Sequence, residues 1–269
     1  MNSEKACEEN SFLLAGRCGI GDRENVRFTG ALADLFQLFF GHVATNAKAL
    51  TRANLARIQD CDVEDIIFAV RQPGKDGHWY ANFGYYADNQ DRKAHGSYGR
   101  LAKIEVDSGE VTVLLDDPDG AVRDPVVQYD GRTIVFSYRP GGTDHYHLYE
   151  IQSDGSGLRQ LTDGPFDDIE PAWMPDDSLV FISTRGKRWV NCWLTHVAIM
   201  YRCDRNGKNI QQISANIEHD NTPWPLPDGR ILYQRWEYVD RSQVHYHHLW
   251  TINPDGTGQM VYFGNFRPG

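Results

Sequence analysis

The stretch HDNTPWPLPDGRILY, residues 219–233, combines a strand entered through a proline, an Asp-Gly pair and a second apolar run. An Asp-Gly pair between two apolar runs predicts a tight hairpin turn, because both residues tolerate positive φ. Residues 124–136 follow the same pattern, and so do residues 170–181, in which Asp176-Asp177 stands in place of the Asp-Gly pair. In every copy the proline stands five residues before the first turn residue (130−125, 176−171 and 228−223). The chain therefore contains a repeated hairpin.

A second hairpin follows each copy, at residues 148–161, 200–213 and 249–263. There a short apolar strand leads into an Asp-Gly or Asn-Gly turn and then a further strand. Each unit thus carries four short antiparallel strands, and the prolines recur after 46 and 52 residues (171−125 and 223−171). Four strands in about 40–50 residues is the blade period of a β-propeller.

The repeat resembles that of a known family. An acidic residue before proline, then Pro-Asp-Gly, an apolar strand, Leu-Tyr and Asp-Gly-x-Gly resemble the TolB-type propeller repeat. Longer runs resemble the propeller domain of proteins similar to the hydrazine synthase alpha subunit. These runs are FAVRQPGKDGHWYANFGYYAD (68–88), VRDPVVQYDGRTIVFSYR (122–139), RWVNCWLTHVAIMYRCD (188–204), NIEHDNTPWPLPDGR (216–230) and HHLWTINPDGTGQMVYFGN (247–265). The resemblance extends over residues 64–265 and implies a propeller of about six blades inside a longer protein.

The expected fold class is all-β: a β-propeller arc of about four four-stranded antiparallel blades, the first incomplete, with a helical N-terminal segment. Residues 1–62 are expected to be irregular chain followed by an amphipathic helical segment, since apolar residues recur at three- and four-residue steps from Leu32 to Leu50. Residues 63–269 are expected to hold the propeller repeats, truncated at this length. No first-strand pattern precedes Ile66, and a long insertion, residues 71–99, interrupts the first repeat.

Composition and charge argue against several partners. Lys and Arg total 27 against 37 Asp and Glu, so the net charge is −10. This charge opposes binding to nucleic acid or to an anionic membrane surface, which requires a positive field. No apolar run approaches the roughly 20 residues that span a bilayer, so no membrane span is expected. The acidic start lacks the basic segment of a secretory signal, which leaves the compartment undetermined, whereas the family resemblance implies the periplasm.

The five cysteines form neither C-x-x-C nor the C-x-x-C-H of covalent haem attachment. An odd count without framework spacing also argues against a disulfide scaffold, so free thiols are expected. In the family that the chain resembles, the haem groups belong to parts with C-x-x-C-H. We therefore expect no cofactor in this chain, with calcium as the alternative, and we assign no catalytic residue.

Blade topology divides the connections between two sides. The first-to-second and third-to-fourth turns share one side, here called the turn face, and the other loops and the links between blades share the long-loop face. The second-to-third loops vary in length (148−136=12, 200−181=19 and 249−233=16), and varied loops on a fixed scaffold commonly carry function. The predicted binding face comprises Arg123, Asp124, Asp168, Glu170, Arg185, Trp189, His219, Asp220, Asn221, Arg235, Trp236, Asp240, Arg241 and His245.

Three interpretations of this set stay open. The acidic residues before each proline would cap turns and pair with arginines, which holds the blades together. Alternatively, Asp168, Glu170, His219 and Asp220 would line the mouth of the channel and bind a polar ligand or a cation such as Ca²⁺, which takes oxygen ligands. In the third interpretation, the tryptophans and arginines mark a protein-binding surface, because these residues dominate interface hot spots.

Our first functional hypothesis is a non-catalytic binding or scaffolding module that recognises a protein or ligand through the long-loop face. The alternative is the propeller portion of a larger haem-containing redox protein resembling the hydrazine synthase alpha subunit. Trp224 is expected to be buried near the inner strands, with Tyr233 and Trp250 between blades. Open strand edges at both ends of the arc predict pairing with another chain or with remaining blades of a longer chain.

Overall fold

The computed structural model describes residues 14–18, 63–72, 96–191, 195–238 and 247–264. The predicted helical segment, residues 29–60, and most of the insertion within residues 71–99 lie outside these ranges. Within them the chain is all-β, with sixteen strands in four antiparallel four-stranded sheets. No helix in the described part is long and apolar enough to cross a membrane.

Each sheet takes its four strands in chain order, as a propeller blade does. Blade 1 comprises β1 (Leu14–Cys18), β2 (Val63–Val70), β3 (Gly99–Glu105) and β4 (Val111–Asp117), and blade 2 comprises β5 (Ala121–Val127), β6 (Thr133–Arg139), β7 (His147–Gln152) and β8 (Arg159–Gln160). Blade 3 comprises β9 (Asp168–Trp173), β10 (Leu179–Ser183), β11 (Ile199–Cys203) and β12 (Gln211–Gln212), and blade 4 comprises β13 (Asp220–Pro225), β14 (Ile231–Trp236), β15 (His247–Ile252) and β16 (Met260–Phe263).

The first strands of the blades lie side by side. β5 contacts β1 and β9, and β9 contacts β13. The predicted hairpin turns occupy the expected places: residues 130–131 join β5 to β6, and residues 228–229 join β13 to β14. Four consecutive blades around a shared inner side confirm the predicted propeller.

One prediction was wrong for blade 1: this blade was expected to be incomplete, but it has four strands. Its inner strand is β1, where Leu14 pairs with Phe68 and Gly16 with Ile66. β1 lies in the segment for which irregular chain was expected. The strand was missed because it precedes β2 by a long connection and lacks the Pro-to-Asp-Gly pattern that marks the other inner strands.

Apolar layers between consecutive blades form the core. Strand alternation gives each blade a presenting face, which packs on the preceding blade, and a receiving face, which packs against the following one. The presenting faces of blades 2, 3 and 4 carry an aliphatic–x–aromatic pair on the second strand and an aromatic residue on the third. These residues are Ile134, Phe136 and Tyr149 in blade 2, Leu179, Phe181 and Tyr201 in blade 3, and Ile231, Tyr233 and Trp250 in blade 4.

The predicted positions of three aromatic residues are partly right. Tyr233 is buried between blades 3 and 4, and Trp250 packs against the same cluster, as expected. The prediction for Trp224 is wrong, because its side chain is 54% exposed. Trp224 pairs with Leu232 across β13 and β14. It therefore lies on the receiving face of blade 4, pointing away from blade 3.

Candidate functional site

The inner strands of blades 2, 3 and 4 share an unusual backbone feature. The residues before the repeated prolines, Asp124, Glu170 and Thr222, have φ angles of 55°, 52° and 50°. In each blade this residue sits in a register shift of the first hairpin. Left-handed φ disfavours most side chains, and a β-branched residue such as Thr222 above all. Such a conformation persists only where surrounding contacts hold it in place.

Hydrogen bonds between blades supply those contacts. Asp124 Oδ2 accepts the backbone N–H of Glu170 at 3.3 Å. Glu170 Oε2 in turn accepts the backbone N–H of Thr222 at 2.5 Å. The side chain at one pre-proline position therefore binds the backbone of the equivalent position in the next blade. This repeated link holds the three inner strands in a common register.

Arg123 is the cationic centre of this network. Its Nε donates to Asp124 Oδ2 at 2.5 Å and its Nη2 to Glu170 Oε1 at 3.1 Å. Burial alone would lower the pKa of Arg123, but the two carboxylates outweigh burial and raise it. Burial raises the pKa of Glu170, and Arg123 opposes that shift. Charges paired in this way are suited to joining blades.

Sequence analysis missed several members of the cluster. The guanidinium carbon of Arg139 lies 5.2 Å from the centre of the Tyr146 ring, and that of Arg123 lies 5.9 Å from it. Burial lowers the pKa of Arg71, whose charge interacts with Asp124. Phe68–Arg71 and Phe136–Arg139 occupy equivalent places in blades 1 and 2, so aligning these two segments would have revealed the arginines.

Asp168 and Arg185 form a second buried pair at the long-loop face. Asp168 is fully buried and accepts two hydrogen bonds from Arg185 Nη2, at 2.8 and 2.9 Å, and one from Ser183 at 2.6 Å. The Arg185 guanidinium stacks over Phe166, 4.4 Å from the ring centre. The pair thus fixes the start of β9 against the end of β10.

The equivalent residue of blade 4, Asp220, has a different environment. It accepts hydrogen bonds from Ser214 at 2.5 Å and from Asn216 at 3.1 Å. Burial raises the pKa of Asp220 to about 6. Next to it, His219 Nδ1 accepts the backbone N–H of Ala198 at 3.1 Å, and burial lowers the pKa of this histidine to about 3. His219 is therefore neutral in the folded chain at pH 7.

Glu218 precedes these residues and was also missed by the sequence analysis. Its side chain is buried, and burial raises its pKa to about 7. A buried glutamate between an exposed isoleucine and a buried histidine has no periodic signal of its own. The link between blades 3 and 4 thus begins with three consecutive buried ionisable residues, Glu218, His219 and Asp220.

Trp189 is the most exposed of the predicted site residues that the structure describes. Its side chain is 47% exposed, and its ring centre lies 3.9 Å from that of His196. Backbone bonds hold the two arms of this loop: the Val197 N–H donates to the Arg188 carbonyl oxygen at 2.8 Å. Val190 is buried directly beside the exposed indole. An aromatic side chain is therefore presented on an anchored loop.

The structure groups the predicted site residues into separate clusters. Arg123, Asp124 and Glu170 contact one another. Asp168 pairs with Arg185. Trp236 is fully buried against His219, with ring centres 5.7 Å apart. Asn221 and Arg235 are half-buried beside this group, and Trp189 stands apart from it; Asp240, Arg241 and His245 lie outside the described residues.

Among the residues that the structure describes, no group of three or more His, Cys, Asp or Glu side chains is arranged to hold a metal ion. The acidic residues of the predicted set that the structure describes, Asp124, Asp168, Glu170 and Asp220, instead accept hydrogen bonds from protein donors. The calcium interpretation therefore gains no support from these contacts.

The chain is similar in sequence or in structure to several known proteins. No family model matches the chain. The chain is 25% identical to hydrazine synthase subunit alpha of Kuenenia stuttgartiensis, over 64% of this chain and 26% of that protein. The solved structure of Kuenenia stuttgartiensis hydrazine synthase matches with a TM-score of 0.59 and 18% identity, over 76% of this chain and 32% of that one. TolB from Acinetobacter baumannii matches with a TM-score of 0.48 and 11% identity, over 74% and 40%.

The repeats, the four blades and the similarity to hydrazine synthase define a β-propeller. Within that class the chain resembles hydrazine synthase, in sequence and in fold, as the quoted runs predicted. It spans about a quarter of the length of its curated relative (26%) and about a third of the solved chain (32%).

Proposed function

We propose that this propeller is a non-catalytic binding module that recognises a protein partner or ligand through its long-loop face. The presentation of Trp189 carries the proposal. Tryptophan and arginine dominate the energetics of protein interfaces, and Trp189 is exposed beside Arg188 on a loop anchored by Val190. An anchored side chain loses little conformational entropy on binding.

The buried charged residues have structural partners, which supports a structural role for them and a recognition role for the exposed loops. Arg123 is satisfied by Asp124 and Glu170, and Asp168 by Arg185 and Ser183. These groups join strands and blades, and recognition falls to the exposed loop residues around Trp189.

Photo-crosslinking tests this proposal. A benzophenone amino acid replaces Trp189, or Leu158 on the turn face as the matched control, because the two side chains are 47% and 45% exposed. We expect one defined partner to crosslink at position 189 and not at position 158. Binding of that partner should weaken at least about tenfold in Trp189→Ala, as for a hot-spot residue, and stay unchanged in Leu158→Ala. Equal crosslinking at both positions would count against a specific long-loop surface.

A second function is favoured by the alignment with hydrazine synthase subunit alpha. In it, the chain is the propeller portion of a larger haem-containing redox protein, in which the haem is bound by other parts of the polypeptide. Protein isolated from its source cells would then give a pyridine haemochrome spectrum, and the 269-residue chain expressed alone would not. A source protein without haem would exclude this function and leave the binding module unaffected.

A further inference from the structure

The hydroxyl of Tyr146 is buried and has no hydrogen-bond partner. Its side chain is 1% exposed, and none of the described residues forms a hydrogen bond with its oxygen. Buried polar atoms almost always have a partner, so an exception of this kind points to a bound water or ion or to a functional role. Burial raises the pKa of the hydroxyl, so at pH 7 it is a neutral O–H group that can donate one hydrogen bond.

The backbone of Tyr146 fixes the place of this hydroxyl. The residue stands directly before β7, at the long-loop end of blade 2. Its N–H donates to Asp167 Oδ1 at 2.8 Å, and its carbonyl oxygen accepts the N–H of Asp168 at 2.8 Å. The side chain belongs to the same buried cluster as Ala121 and Ile169. Tyr146 is therefore held between the inner strands β5 and β9, with little freedom to turn toward another acceptor.

Guanidinium groups lie around the ring. The guanidinium carbons of Arg139 and Arg123 are 5.2 and 5.9 Å from the ring centre. The charge of Arg71 acts on the same hydroxyl, and the charge of Asp167 opposes the three arginines there. A guanidinium has donors and no acceptor, so none of the three can accept from the O–H. The hydroxyl and the arginines therefore share one complementary partner, an acceptor with negative charge.

The carboxylates of the cluster are bound by other donors. Asp124 and Glu170 accept hydrogen bonds from Arg123, and Asp167 accepts the backbone N–H of Tyr146. These three carboxylates equal the three arginines in number. A ligand with one negative charge would therefore enter a region that has no excess of negative charge.

The equivalent positions of blade 3 show that the propeller does not require these side chains. Ala198 takes the place of Tyr146, because both stand one residue before the third strand and both donate their N–H to a side chain of the following blade. Strand register likewise places Thr184 where blade 2 has Arg139. A methyl group and a small hydroxyl are thus sufficient at this junction. The phenol and the guanidinium of blade 2 are additions to the scaffold.

We propose that Tyr146 and Arg139 bind a small planar oxyanion of the size of formate, at the long-loop end of the inner strands. One oxygen of the ligand accepts the O–H of Tyr146, and the guanidinium of Arg139, which carries five donors, binds the anion. Planar oxyanions match the fork of a guanidinium, whereas a water molecule would turn its own hydrogens toward these donors. The ligand is small because the hydroxyl is enclosed by protein. This site is separate from the surface around Trp189.

Isothermal titration of the 269-residue chain with sodium formate, at an ionic strength kept constant with sodium chloride, tests the proposal. We expect one saturable site. Tyr146→Phe should weaken binding at least about tenfold, because it removes a hydrogen bond to a charged acceptor. The matched control is Tyr138→Phe, since the hydroxyl of Tyr138 donates to Asp117 Oδ2 at 2.6 Å. This control should bind formate as the unaltered chain does.

The two variants should also differ in their melting temperatures. Without formate, Tyr146→Phe should leave the melting temperature unchanged or raise it, because its hydroxyl has no partner to lose, whereas Tyr138→Phe should lower it. Formate should raise the melting temperature of the unaltered chain and of Tyr138→Phe, but not that of Tyr146→Phe.

Three results would overturn the proposal. The first is the absence of saturable formate binding to the unaltered chain. The second is equal binding by the unaltered chain and Tyr146→Phe. The third is a loss of stability in Tyr146→Phe without formate that matches the loss in Tyr138→Phe, because the hydroxyl of Tyr146 would then have a partner within the protein.

Discussion

Blades 3 and 4 place equivalent residues on their receiving faces, and these residues have opposite environments. Ala172 and Met200 of blade 3 are 1% and 0% exposed, whereas their equivalents in blade 4, Trp224 and Leu249, are 54% and 37% exposed. The strand pairing is the same in both blades. A propeller blade therefore does not bury its own side chains: alternation gives it two apolar faces, and each face needs a neighbour.

The polar layer of the two blades differs as well. Asp168 at the start of blade 3 is neutralised by Arg185, while Asp220 at the same place in blade 4 is bound by the uncharged donors Ser214 and Asn216. Burial favours the protonated form of Asp220, and the charges of Arg235 and Arg188 offset this effect only in part. The junction between blades 3 and 4 is therefore pH-sensitive at a position where blade 3 carries an ion pair.

The largest loss of stability is expected from removing Arg123, whose buried charge joins blades 2 and 3. Arg123→Met removes the buried cation that hydrogen-bonds Asp124 and Glu170, which should lower the free energy of unfolding by about 3–5 kcal/mol. Urea denaturation measures this loss. The matched control is Arg159→Met, since Arg159 is 46% exposed on the side chain and pairs with Glu150 at 2.9 Å.

An exposed pair of this kind contributes about 0–1 kcal/mol. Equal losses in the two arginine variants would show that the link between inner strands contributes no more than a surface ion pair. Any difference in stability between the covered and the uncovered blades would then come from the apolar layers alone.

The apolar layers provide the next largest difference. Met200→Ala in the covered face of blade 3 should cost about 2–5 kcal/mol, because it opens a cavity between blades. Leu249→Ala at the equivalent position of blade 4 should change the free energy of unfolding by about 0.5 kcal/mol. Thermal and urea unfolding of both variants measure the contrast. A similar loss in both would mean that another part of the chain covers blade 4 in solution.

Much of the fold was predictable because the repeat has strong local signals. The Asp-Gly turns at 130–131 and 228–229 and the apolar strands around them fix the hairpins, and their period fixes the blades. β1 escaped prediction because Leu14–Cys18 carries no turn and no proline of this kind. Its place is decided by pairing with β2, a contact between distant parts of the chain that leaves no local pattern.

The candidate site was less predictable than the fold. The residue types around the prolines indicated polar clusters, but Asp124 and Asp168 belong to separate ion pairs. Register decides this separation, and a bulge beside each proline shifts it by one residue. Trp224 was placed wrongly for a different reason: it lies on the receiving face of blade 4, whereas its equivalents Val126 and Ala172 are buried because the following blade covers them.

The smallest expected effect concerns Asp220 and pH. Burial raises the pKa of this carboxyl to about 6, above the value of about 3.9 of an unfolded aspartate. Between these values the folded chain keeps a proton that the unfolded chain has lost. The stability contributed by Asp220 is therefore fully present below about pH 4 and is lost as the pH rises through about 6. His219 acts in the opposite sense, since burial lowers its pKa to about 3.

Asp220→Asn removes the first contribution and leaves that of His219. The change in the free energy of unfolding from pH 5 to pH 7 should therefore become more positive than in the unaltered chain, by about 1–2 kcal/mol. Urea denaturation at the two pH values measures it. Asp154→Asn is the control, because a hydrogen bond from Ser156 lowers the pKa of Asp154 and its titration falls below this window. If Asp220→Asn left the pH dependence unchanged, Asp220 would be ionised throughout, and blades 3 and 4 would begin with the same charge despite their different partners.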